Sequence, residues 1–563
     1  MSKKYIHDMP GFSLSIGAGF SQEQGPDRFS GTHYEVRRFT LPKFERDKVF
    51  ADTPRFMLVL EGVVLNKSKL IQPGISWEES LIQLYLRDGD TFFAAFRGAF
   101  SGLLWDKERD RWIIFTDQVG YKHIYYSQPE GQLHLSSELG DLYQTLKDRR
   151  LACSLDEGGA YMLLSYGYML GDATLSQEVR RLLGGEYLVW QSGRLERRSY
   201  YQLPDPDDQV LSEMEAIEQL DRLFRENIRA QFEKDLEYGY RHVVGLSGGL
   251  DSRMTTWVAH EMGYTQQLNV TFSQSGYWDE TIAKAIASGL QHEWLFKSLD
   301  HGLFLTNLEE VTQITGGQVL FFNLAHGHSL WQLLNFDQLG IVHTGQVGGI
   351  IKGYYAAREK TQGGGAYSKS LLHKVGREHL APYAYEREFL LKNRQFNATL
   401  YGDLSAQQFT ESLSPYLSAE LIAFGFNSRL FPKKDELMIK WILQKYPLAG
   451  NYVWETTGAR LNEPHVTIRG RRVPLRQIPA KVMSLLYRPR GGRHTGFHMN
   501  PLEYWHQHNT TLTDFQETYF RDYISGLDAY AELQRDARRL FHQGSALEKN
   551  QVLSLLAAVK AFF

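Results

Sequence analysis

One stretch constrains the fold of this chain more than any other: VVGLSGGLDS, which runs from Val243 to Ser252. Its apolar start predicts a short buried strand, its polar middle a tight turn, and the residues from Asp251 onward a helix. Gly248 and Gly249 allow the backbone to approach a ligand closely. The N–H groups of such a turn, at a helix N-terminus, form a site for an anion such as phosphate. The alternative is an ordinary strand-to-helix turn in an α/β domain.

The side chains of this turn add chemistry to its backbone. Ser247 and Ser252 offer hydroxyl donors, and Asp251 is placed to hold a Mg²⁺ ion that bridges phosphates. The string resembles the pyrophosphate-binding loop of the N-type ATP pyrophosphatases, which adenylate an oxygen and release pyrophosphate. It is not a Walker A loop, because no Gly-Lys-Ser/Thr follows. The resemblance implies an ATP site formed by Leu246, Ser247, Gly248, Gly249, Leu250, Asp251 and Ser252, with Asp251 as metal ligand and catalytic residue.

The size and charge of the chain limit the remaining possibilities. Its 563 residues are too many for one ordinary core, so at least two domains are expected. A net charge of −3 gives no reason to expect nucleic acid or an anionic membrane as partner. No apolar run is long enough to span a bilayer and no signal peptide is evident, so a cytoplasmic protein is expected. With Cys153 as the single cysteine, neither a disulfide framework nor a cysteine-rich metal site is possible.

The N-terminal part is predicted to consist mostly of antiparallel strands. Alternating or apolar runs at Phe12–Ile16, Phe56–Leu60, Gly102–Trp105 and Trp112–Phe115 are separated by polar turns at hairpin spacing. The composition changes at Pro204–Asp208, which divides the chain into residues 1–205 and 206–563.

A second resemblance rests on three segments of this part, Phe96–Asp106, Asp117–Tyr126 and Leu135–Leu139. Their order and spacing are similar to the glutaminase domain of the asparagine synthetase family. The resemblance implies a four-layer αββα N-terminal-nucleophile (Ntn) hydrolase-like domain at 1–205. It further implies an ATP pyrophosphatase domain at 206–563.

The departures from that family concern the glutaminase chemistry. The family requires a cysteine as residue 2 with a free α-amino group as base, whereas this chain has Ser2, and Pro10 occupies the nucleophile's place in the strand pattern. The family's Asn-Gly-Glu motif is matched only by Glu61-Gly62-Val63. Glutamine hydrolysis in cis is therefore not expected. A Ser2-dependent amidohydrolase remains as an alternative.

The C-terminal part alternates helices and strands. Ile217, Leu220, Phe224 and Ile228 share one helical face. Strands are predicted at 267–272 and 340–344, with a helix at 279–289 between them. This order predicts a doubly wound parallel sheet with additional helices, and a ligand at the carboxyl edge of the strands.

The family resemblance assigns further residues to the ATP site. Phe272 would flank the adenine, and Thr344, Gly345 and Gln346 would cover the ribose and phosphates. Gln346 replaces a glutamate, and Gly349 replaces the family's metal-binding aspartate. Mg²⁺ would then depend on Asp251, phosphate oxygens and water.

A lysine on a later helix completes the predicted site. The segment Glu436–Pro447 resembles the family helix whose lysine stabilises charge as pyrophosphate leaves, and Lys440 aligns with that lysine. The alternative is a solvated helix lysine. The basic segment Arg488–His494 is either a lid over the triphosphate or an exposed loop.

The sequence thus predicts an ATP-dependent, AMP-forming amide ligase, nominally similar to asparagine synthase. Its partners are a small-molecule carboxylate and an amine donor other than glutamine hydrolysed in cis, and the family suggests a homodimer. β-Lactam synthetase and lasso-peptide cyclase resemble this arrangement, because they keep the fold and lose the nucleophile. Two alternatives remain open: an ATP-binding protein without catalysis, favoured by Gln346 and Gly349, and an intramolecular amide-forming cyclase.

Overall fold

The computed structural model describes most of the chain. The described residues are 9–20, 24–203, 210–355, 359–427, 430–431, 433–468, 471–478 and 498–563. Ser2, the predicted boundary at Pro204–Asp208 and the segment Arg488–His494 lie outside these ranges, so the expectations placed on them stay predictions.

The N-terminal part contains two antiparallel sheets and the helices that cover them. Its strands are β1 (Gly11–Ile16), β2 (Gln24–Gly25), β3 (Arg28–Ser30), β4 (Tyr34–Phe39), β5 (Val49–Asp52), β6 (Phe56–Val64), β7 (Gly98–Asp106), β8 (Arg111–Thr116), β9 (Tyr125–Ser127), β10 (Leu133–Ser136), β11 (Arg180–Arg181), β12 (Glu186–Gln191) and β13 (Arg194–Ser199). Its helices are α1 (Lys67–Leu70), α2 (Trp77–Asp88), α3 (Leu139–Asp148) and α4 (Glu157–Ser165). The strand orders are β11-β9-β10-β1-β4-β3-β2 and β13-β12-β8-β7-β6-β5. The four strands predicted in this part are confirmed within β1, β6, β7 and β8.

Alternation along β6 explains how these sheets stack. Met57 and Val59 point into a core shared with β1 and β10 of the other sheet. Leu58 and Leu60 point to the opposite face, where they pack with Leu81 of α2. Successive side chains of a strand face opposite sides, so one strand serves both cores. Helices α3 and α4 pack beyond the seven-stranded sheet, in a core that includes Tyr125 of β9.

The C-terminal part is built on a five-stranded parallel sheet. Its strands are β14 (Arg241–Gly245), β15 (Gln267–Ser273), β16 (Glu293–Ser298), β17 (Leu339–His343) and β18 (Ser412–Leu413), followed by two hairpins, β19 (Val453–Trp454) with β20 (Ala459–Arg460) and β21 (His465–Ile468) with β22 (Arg471–Pro474). All five strands are parallel, in the order β16-β15-β14-β17-β18. The chain adds β15 and β16 on one side of β14 and then β17 and β18 on the other, so the strand order reverses between β14 and β17. Loops that leave the two strands at such a reversal diverge and open a crevice for ligands.

The C-terminal part also contains helices, some on the two faces of this sheet and some in the core around α3 and α4. They are α5 (Glu213–Glu237), α6 (Leu250–Glu261), α7 (Trp278–Gly289), α8 (Leu308–Thr315), α9 (Phe322–Trp331), α10 (Glu386–Phe389), α11 (Leu404–Gln407), α12 (Ala419–Gly425), α13 (Glu436–Lys445), α14 (Leu502–His508), α15 (Thr510–Tyr523), α16 (Ala531–Gln543) and α17 (Ala546–Phe562). Helices α5, α6 and α7 bury their apolar residues against one face, and α9 packs on the other. The prediction of a mixed α/β chain is confirmed.

A buried carboxylate fixes the two strands at the reversal point. Asp235 of α5 accepts hydrogen bonds at 2.8 Å from His242 Nδ1 of β14 and from His343 Nε2 of β17. Its other oxygen accepts the Ile341 N–H at 2.7 Å. The side chains of Asp235, His242 and His343 lie close enough to share a metal ion. However, His242 Nδ1 and His343 Nε2 already have Asp235 as their partner. The cluster therefore sets the spacing of the strands whose loops form the site.

Buried polar contacts join the N-terminal and C-terminal parts. Lys122 pairs with Glu411 at 2.7 Å, and the Tyr121 hydroxyl donates to Asp403 at 2.6 Å. Lys43 donates to the Leu339 carbonyl at 2.8 Å, at the start of β17. Helices α3 and α4 also share one apolar core with α17. In the described ranges, no helix combines the length and the apolar character that crossing a membrane requires.

Candidate functional site

The turn after β14 closes on itself through its two serines. Ser252 Oγ accepts the Ser247 N–H at 3.0 Å and lies 2.9 Å from Ser247 Oγ. Ser247 Oγ in turn accepts the Gly249 N–H at 3.3 Å. Helix α6 begins at Leu250, one residue before the predicted start. The serines thus shape the turn and hold hydroxyls where a phosphate would meet the helix N-terminus.

An acidic residue that the sequence did not single out also holds this turn. Asp279 Oδ1 of α7 accepts the Gly248 N–H at 2.7 Å. Burial raises the pKa of Asp279 to about 6, although the Gly248 bond opposes that shift. The predicted helix at 279–289 begins with Asp279 and Glu280, and acidic residues in a first turn indicate a helix start rather than a partner for another turn.

The turn after β17 packs directly on the turn after β14. The Thr344 carbonyl accepts a hydrogen bond from Thr255 Oγ1 at 3.2 Å. At Gly345 an added Cβ would lie 2.4 Å from the Ser252 nitrogen, and at Gly348 2.3 Å from Asp251 Oδ1. The structure thus brings the predicted residues of both turns together, and a side chain at either position of contact would force its neighbours to move.

Asp251 lies beneath this second turn and pairs with a lysine. Lys352 Nζ, at the end of the 3-10 turn Gly348–Lys352, is 2.6 Å from Asp251 Oδ2. The exposed fraction of the side chain is 25% for Asp251 and 11% for Lys352. Burial lowers the pKa of Lys352, but the Asp251 carboxylate outweighs this effect and the net pKa is raised. Burial raises the pKa of Asp251, and the Lys352 ammonium opposes that rise. The sequence did not predict this pair.

The donor atoms around Asp251 fit one hard cation. Asp251 Oδ1 is buried and has no hydrogen-bond partner, so it is available as a ligand. Gly348 and Gly349 bring no carboxylate, and the Lys352 ammonium already occupies Oδ2. Mg²⁺ usually binds through one or two carboxylates together with phosphates and water. Asp251 Oδ1 fits that role for one ion, whereas these residues do not form a second ligand set.

Gln346 connects the site to the N-terminal part. Its amide Nε2 donates to Asp403 Oδ1 at 2.7 Å, and Tyr121 binds the other oxygen of the same carboxylate. Burial raises the pKa of Asp403 to about 7. Ser414 Oγ donates to the Gln346 carbonyl at 2.7 Å. The side chain of Gln346 is therefore turned toward Asp403, a residue that the sequence analysis missed.

Leu246 and Phe272 lie at the carboxyl ends of β14 and β15. Leu246 is buried in the core, and its carbonyl accepts a hydrogen bond from Thr271 Oγ1 at 2.8 Å. Phe272 is partly buried and stacks on His326, with ring centroids 6.1 Å apart. The predicted position of Phe272 beside an adenine stays a prediction.

Lys440 does not have the surroundings that the sequence predicted for it. Its Nζ lies 2.5 Å from Glu213 Oε2 and 3.0 Å from Glu436 Oε1, and 37% of its side chain is exposed. Glu213 and Glu436 raise the pKa of Lys440. These contacts match the solvated-lysine alternative, and Lys352 instead of Lys440 is the lysine at Asp251. A catalytic role for Lys440 stays a prediction that its contacts do not support.

A small pocket adjoins Pro10, at the strand position that the family resemblance gives to the glutaminase nucleophile. Lys122 and Tyr125 are also among its lining residues. Close to Lys122, Glu61 pairs with Lys48 at 3.4 Å, and burial raises the pKa of Glu61 to about 7.

Comparison with known proteins gives partial matches over the chain. Residues 55–201 match the glutamine amidotransferase domain family. The amidase chyE of Penicillium rubens is 29% identical over 184 residues, which are 32% of this chain and 26% of that protein. Asparagine synthetase [glutamine-hydrolyzing] 1 of Bacillus subtilis is 22% identical over 235 residues, 41% of this chain and 36% of that protein. Asparagine synthetase [glutamine-hydrolyzing] 2 of the same organism is 26% identical over 277 residues, which cover 45% of this chain and 33% of that protein.

The matched stretches span about a quarter to a third of the length of these curated relatives. Among solved structures, the glutamine PRPP amidotransferase of B. subtilis aligns with 52% of this chain and 86% of its own, at 10% identity and a TM-score of 0.24. The NMN synthetase of Francisella tularensis aligns with 30% of this chain over 71% of its own, at 18% identity and a TM-score of 0.18. Similarities at these TM-scores carry no structural argument. The sequence matches confirm the resemblance that the motifs indicated.

Proposed function

We propose that this asparagine synthetase-like chain is an ATP-dependent ligase that forms an amide from a carboxylate and an amine. The proposal depends most on one observation: the turns after β14 and β17 meet at the strand reversal, with Asp251 between them. Crevices at such reversals bind nucleotides in parallel α/β sheets. We assign the C-terminal part to an ATP pyrophosphatase-like fold and the N-terminal part to an Ntn hydrolase-like fold.

The proposed reaction has two steps. A carboxylate oxygen of the substrate attacks the α-phosphorus of ATP and forms an O–P bond. The bond from the α-phosphorus to the bridging oxygen breaks, and pyrophosphate leaves with the electron pair. The amine then attacks the acyl carbon, a C–N bond forms, and AMP leaves as the amine loses a proton to solvent.

In this chain the two turns hold the nucleotide in place. The hydroxyls of Ser247 and Ser252 and the N-terminus of α6 bind the pyrophosphate part. Gly345 and Gly348 allow the second turn to pack directly on Ser252 and Asp251, so both turns border the proposed nucleotide. Asp251 Oδ1 would hold a Mg²⁺ ion, which, when bound, neutralises phosphate charge.

We infer that glutamine hydrolysed in the same chain does not supply the amine. Pro10 stands at the strand position of the family's nucleophile and lines the pocket there, and a proline offers no nucleophilic side chain. The buried pair of Lys122 and Glu411 adjoins this pocket. Free ammonia, ammonia from another protein or an amine on the substrate would serve instead.

The main alternative is a protein that binds ATP without chemistry. Gln346 supports it, because this amide is tied to Asp403 and a glutamine carries no charge for catalysis. Pyrophosphate release separates the two functions, since a binding protein releases none.

The test is pyrophosphate release from Mg-ATP with pooled carboxylic acids and either ammonium or glutamine. We expect release with ammonium, no increase with glutamine, and loss of release in Asp251→Ala. Asp337→Ala removes an exposed carboxylate just before β17. It is the control and should behave as wild type. ATP binding without release under every condition would favour the binding protein. Release that requires glutamine would contradict the inferred amine source.

A further inference from the structure

We propose that Lys352 binds the pyrophosphate part of the nucleotide and acts there as the second cation of the site. This inference rests on the proposed function, since it concerns the same nucleotide. Lys352 belongs to no motif of the sequence, and it replaces no residue to which the family resemblance gives a role.

The position of Lys352 is fixed by two contacts. Its Nζ is 2.6 Å from Asp251 Oδ2, in the first turn of α6. Its carbonyl accepts the Asp435 N–H at 2.9 Å, which anchors the end of the Gly348–Lys352 turn. The ammonium and the N-terminus of α6 therefore lie at the same end of one helix. Both carry positive charge toward the place where the Ser247–Ser252 turn would hold an anion.

Two other candidate cations, Arg253 and Lys440, are already committed. Arg253 donates to the carbonyls of Gly248 and Val453, among others, and so binds the backbone around α6. Lys440 is paired with Glu213 and Glu436. Lys352 forms an ion pair with Asp251, which is itself a predicted metal ligand, and the Asp435 carboxylate adds a weaker attraction. When a cation binds Asp251 Oδ1, the Asp251 charge is shared and the ammonium is free to pair with phosphate oxygens.

Charge balance explains why a lysine is useful here. The triphosphate of ATP carries several negative charges, and leaving pyrophosphate concentrates them. A site with one carboxylate ligand holds fewer metal ions than a site with two. Gly349 provides no ligand, so a fixed ammonium beside Asp251 supplies the missing positive charge. A lysine acts on phosphate as a point charge and needs no coordination geometry.

The decisive comparison uses variants that leave no buried carboxylate unpaired. Asp251→Asn keeps Lys352 and removes its partner, whereas Asp251→Asn/Lys352→Gln removes both charges. We would measure binding of inorganic pyrophosphate by calorimetry without divalent metal, so that only the ammonium is tested. We expect Asp251→Asn to bind at least as tightly as wild type. We expect the double variant to bind about tenfold to a hundredfold more weakly.

Two further arms complete the test. Lys234→Gln breaks another buried ion pair, with Asp47 at 3.0 Å, and should bind pyrophosphate as wild type does. Titration of Mn²⁺ into the wild-type complex with ATP should give one bound ion. Equal pyrophosphate binding by Asp251→Asn and the double variant, with ATP still bound by wild type, would overturn the role of Lys352 alone. Failure of wild type to bind either ATP or pyrophosphate would overturn the proposed function as well.

Discussion

Gln346 Nε2 donates a hydrogen bond of 2.7 Å to Asp403 Oδ1, and this contact explains why an amide instead of a carboxylate stands at position 346. Asp403 is buried, and its second oxygen is held by Tyr121. A carboxylate at 346 would face another carboxylate in a medium where like charges repel strongly. The uncharged amide of Gln346 thus suits the buried Asp403 carboxyl group that it contacts.

Gln346→Glu should destabilise the protein, and more so at higher pH. One of the two acids must keep a proton, so the folded state binds a proton that the unfolded state releases. Stability then falls as pH rises through the folded pKa, which for Asp403 alone is already about 7. We expect the free energy of unfolding to fall by roughly 3 kcal/mol at pH 8, as measured by thermal unfolding. Gln346→Glu/Asp403→Asn should recover most of it, and no recovery would refute the pairing argument.

Neighbouring glycines should differ in their tolerance of alanine. At Gly348 an added Cβ would lie 2.3 Å from Asp251 Oδ1, whereas at Gly349 the nearest atom is Tyr354 Cδ2 at 3.1 Å. Gly348→Ala should cost roughly 1–3 kcal/mol and weaken ATP binding, because the carboxylate must move. Gly349→Ala should remain within about 0.5 kcal/mol of wild type. Thermal melts and ATP calorimetry would measure both, and equal effects would argue against contact between the turns.

Glu61 should make stability fall as pH rises between about 4.5 and 7. Burial raises the pKa of Glu61 from 4.5 to about 7, against the lowering effect of Lys48, Arg38 and Lys122. The folded state therefore keeps a proton that the unfolded state loses, and the advantage is complete below pH 4.5 and gone above 7. The shift corresponds to a loss on the order of 3 kcal/mol.

Glu61→Gln should remove the contribution of Glu61 to the pH dependence of the free energy of unfolding, whereas Asp403 and Asp279 keep theirs. Glu108→Gln, at an exposed position paired with Arg55, is the control and should leave the slope unchanged. Thermal melts across the pH range would measure the pH slope of the free energy of unfolding for both variants and wild type. If Glu61→Gln and wild type keep the same slope, Glu61 is ionised throughout.

Asp235→Ala should be among the most destabilising substitutions in the C-terminal part. It would leave His242, His343 and the Ile341 N–H without their buried acceptor. Loss of one partner from such a cluster costs roughly 3–5 kcal/mol. Asp337→Ala, at an exposed site near β17, should change little. Comparable melting of the two variants would show that the cluster does not hold the strands together.

Local patterns allow much of the fold to be predicted from the sequence. The segment at 267–272 predicts a strand, and the structure has Gln267–Ser273. The segment at 279–289 predicts a helix, and the structure has Trp278–Gly289. The Ser247–Ser252 turn is likewise local, because serines five residues apart close it. Periodicity and turn chemistry act over a few residues, so the sequence displays them.

The remaining site contacts depend on tertiary packing. Lys352 and Asp251 are 101 residues apart, Gln346 and Asp403 57 apart, and Asp279 and Gly248 31 apart. No spacing rule connects residues at such separations. Lys440 illustrates the same limit, since its helix is predicted correctly but its direction toward Glu213 is set by how α13 packs on α5.

The buried pairs between the two parts of the chain have a consequence for its evolution and engineering. Lys122 neutralises Glu411, and Glu411 directly precedes β18 of the parallel sheet. Removing the N-terminal part would strip this carboxylate of its cation and Asp403 of Tyr121. The N-terminal part thus supplies buried partners to the C-terminal part, as a covalently attached folding partner would. Removing it should therefore destabilise the C-terminal part, whether or not the N-terminal part contacts a substrate.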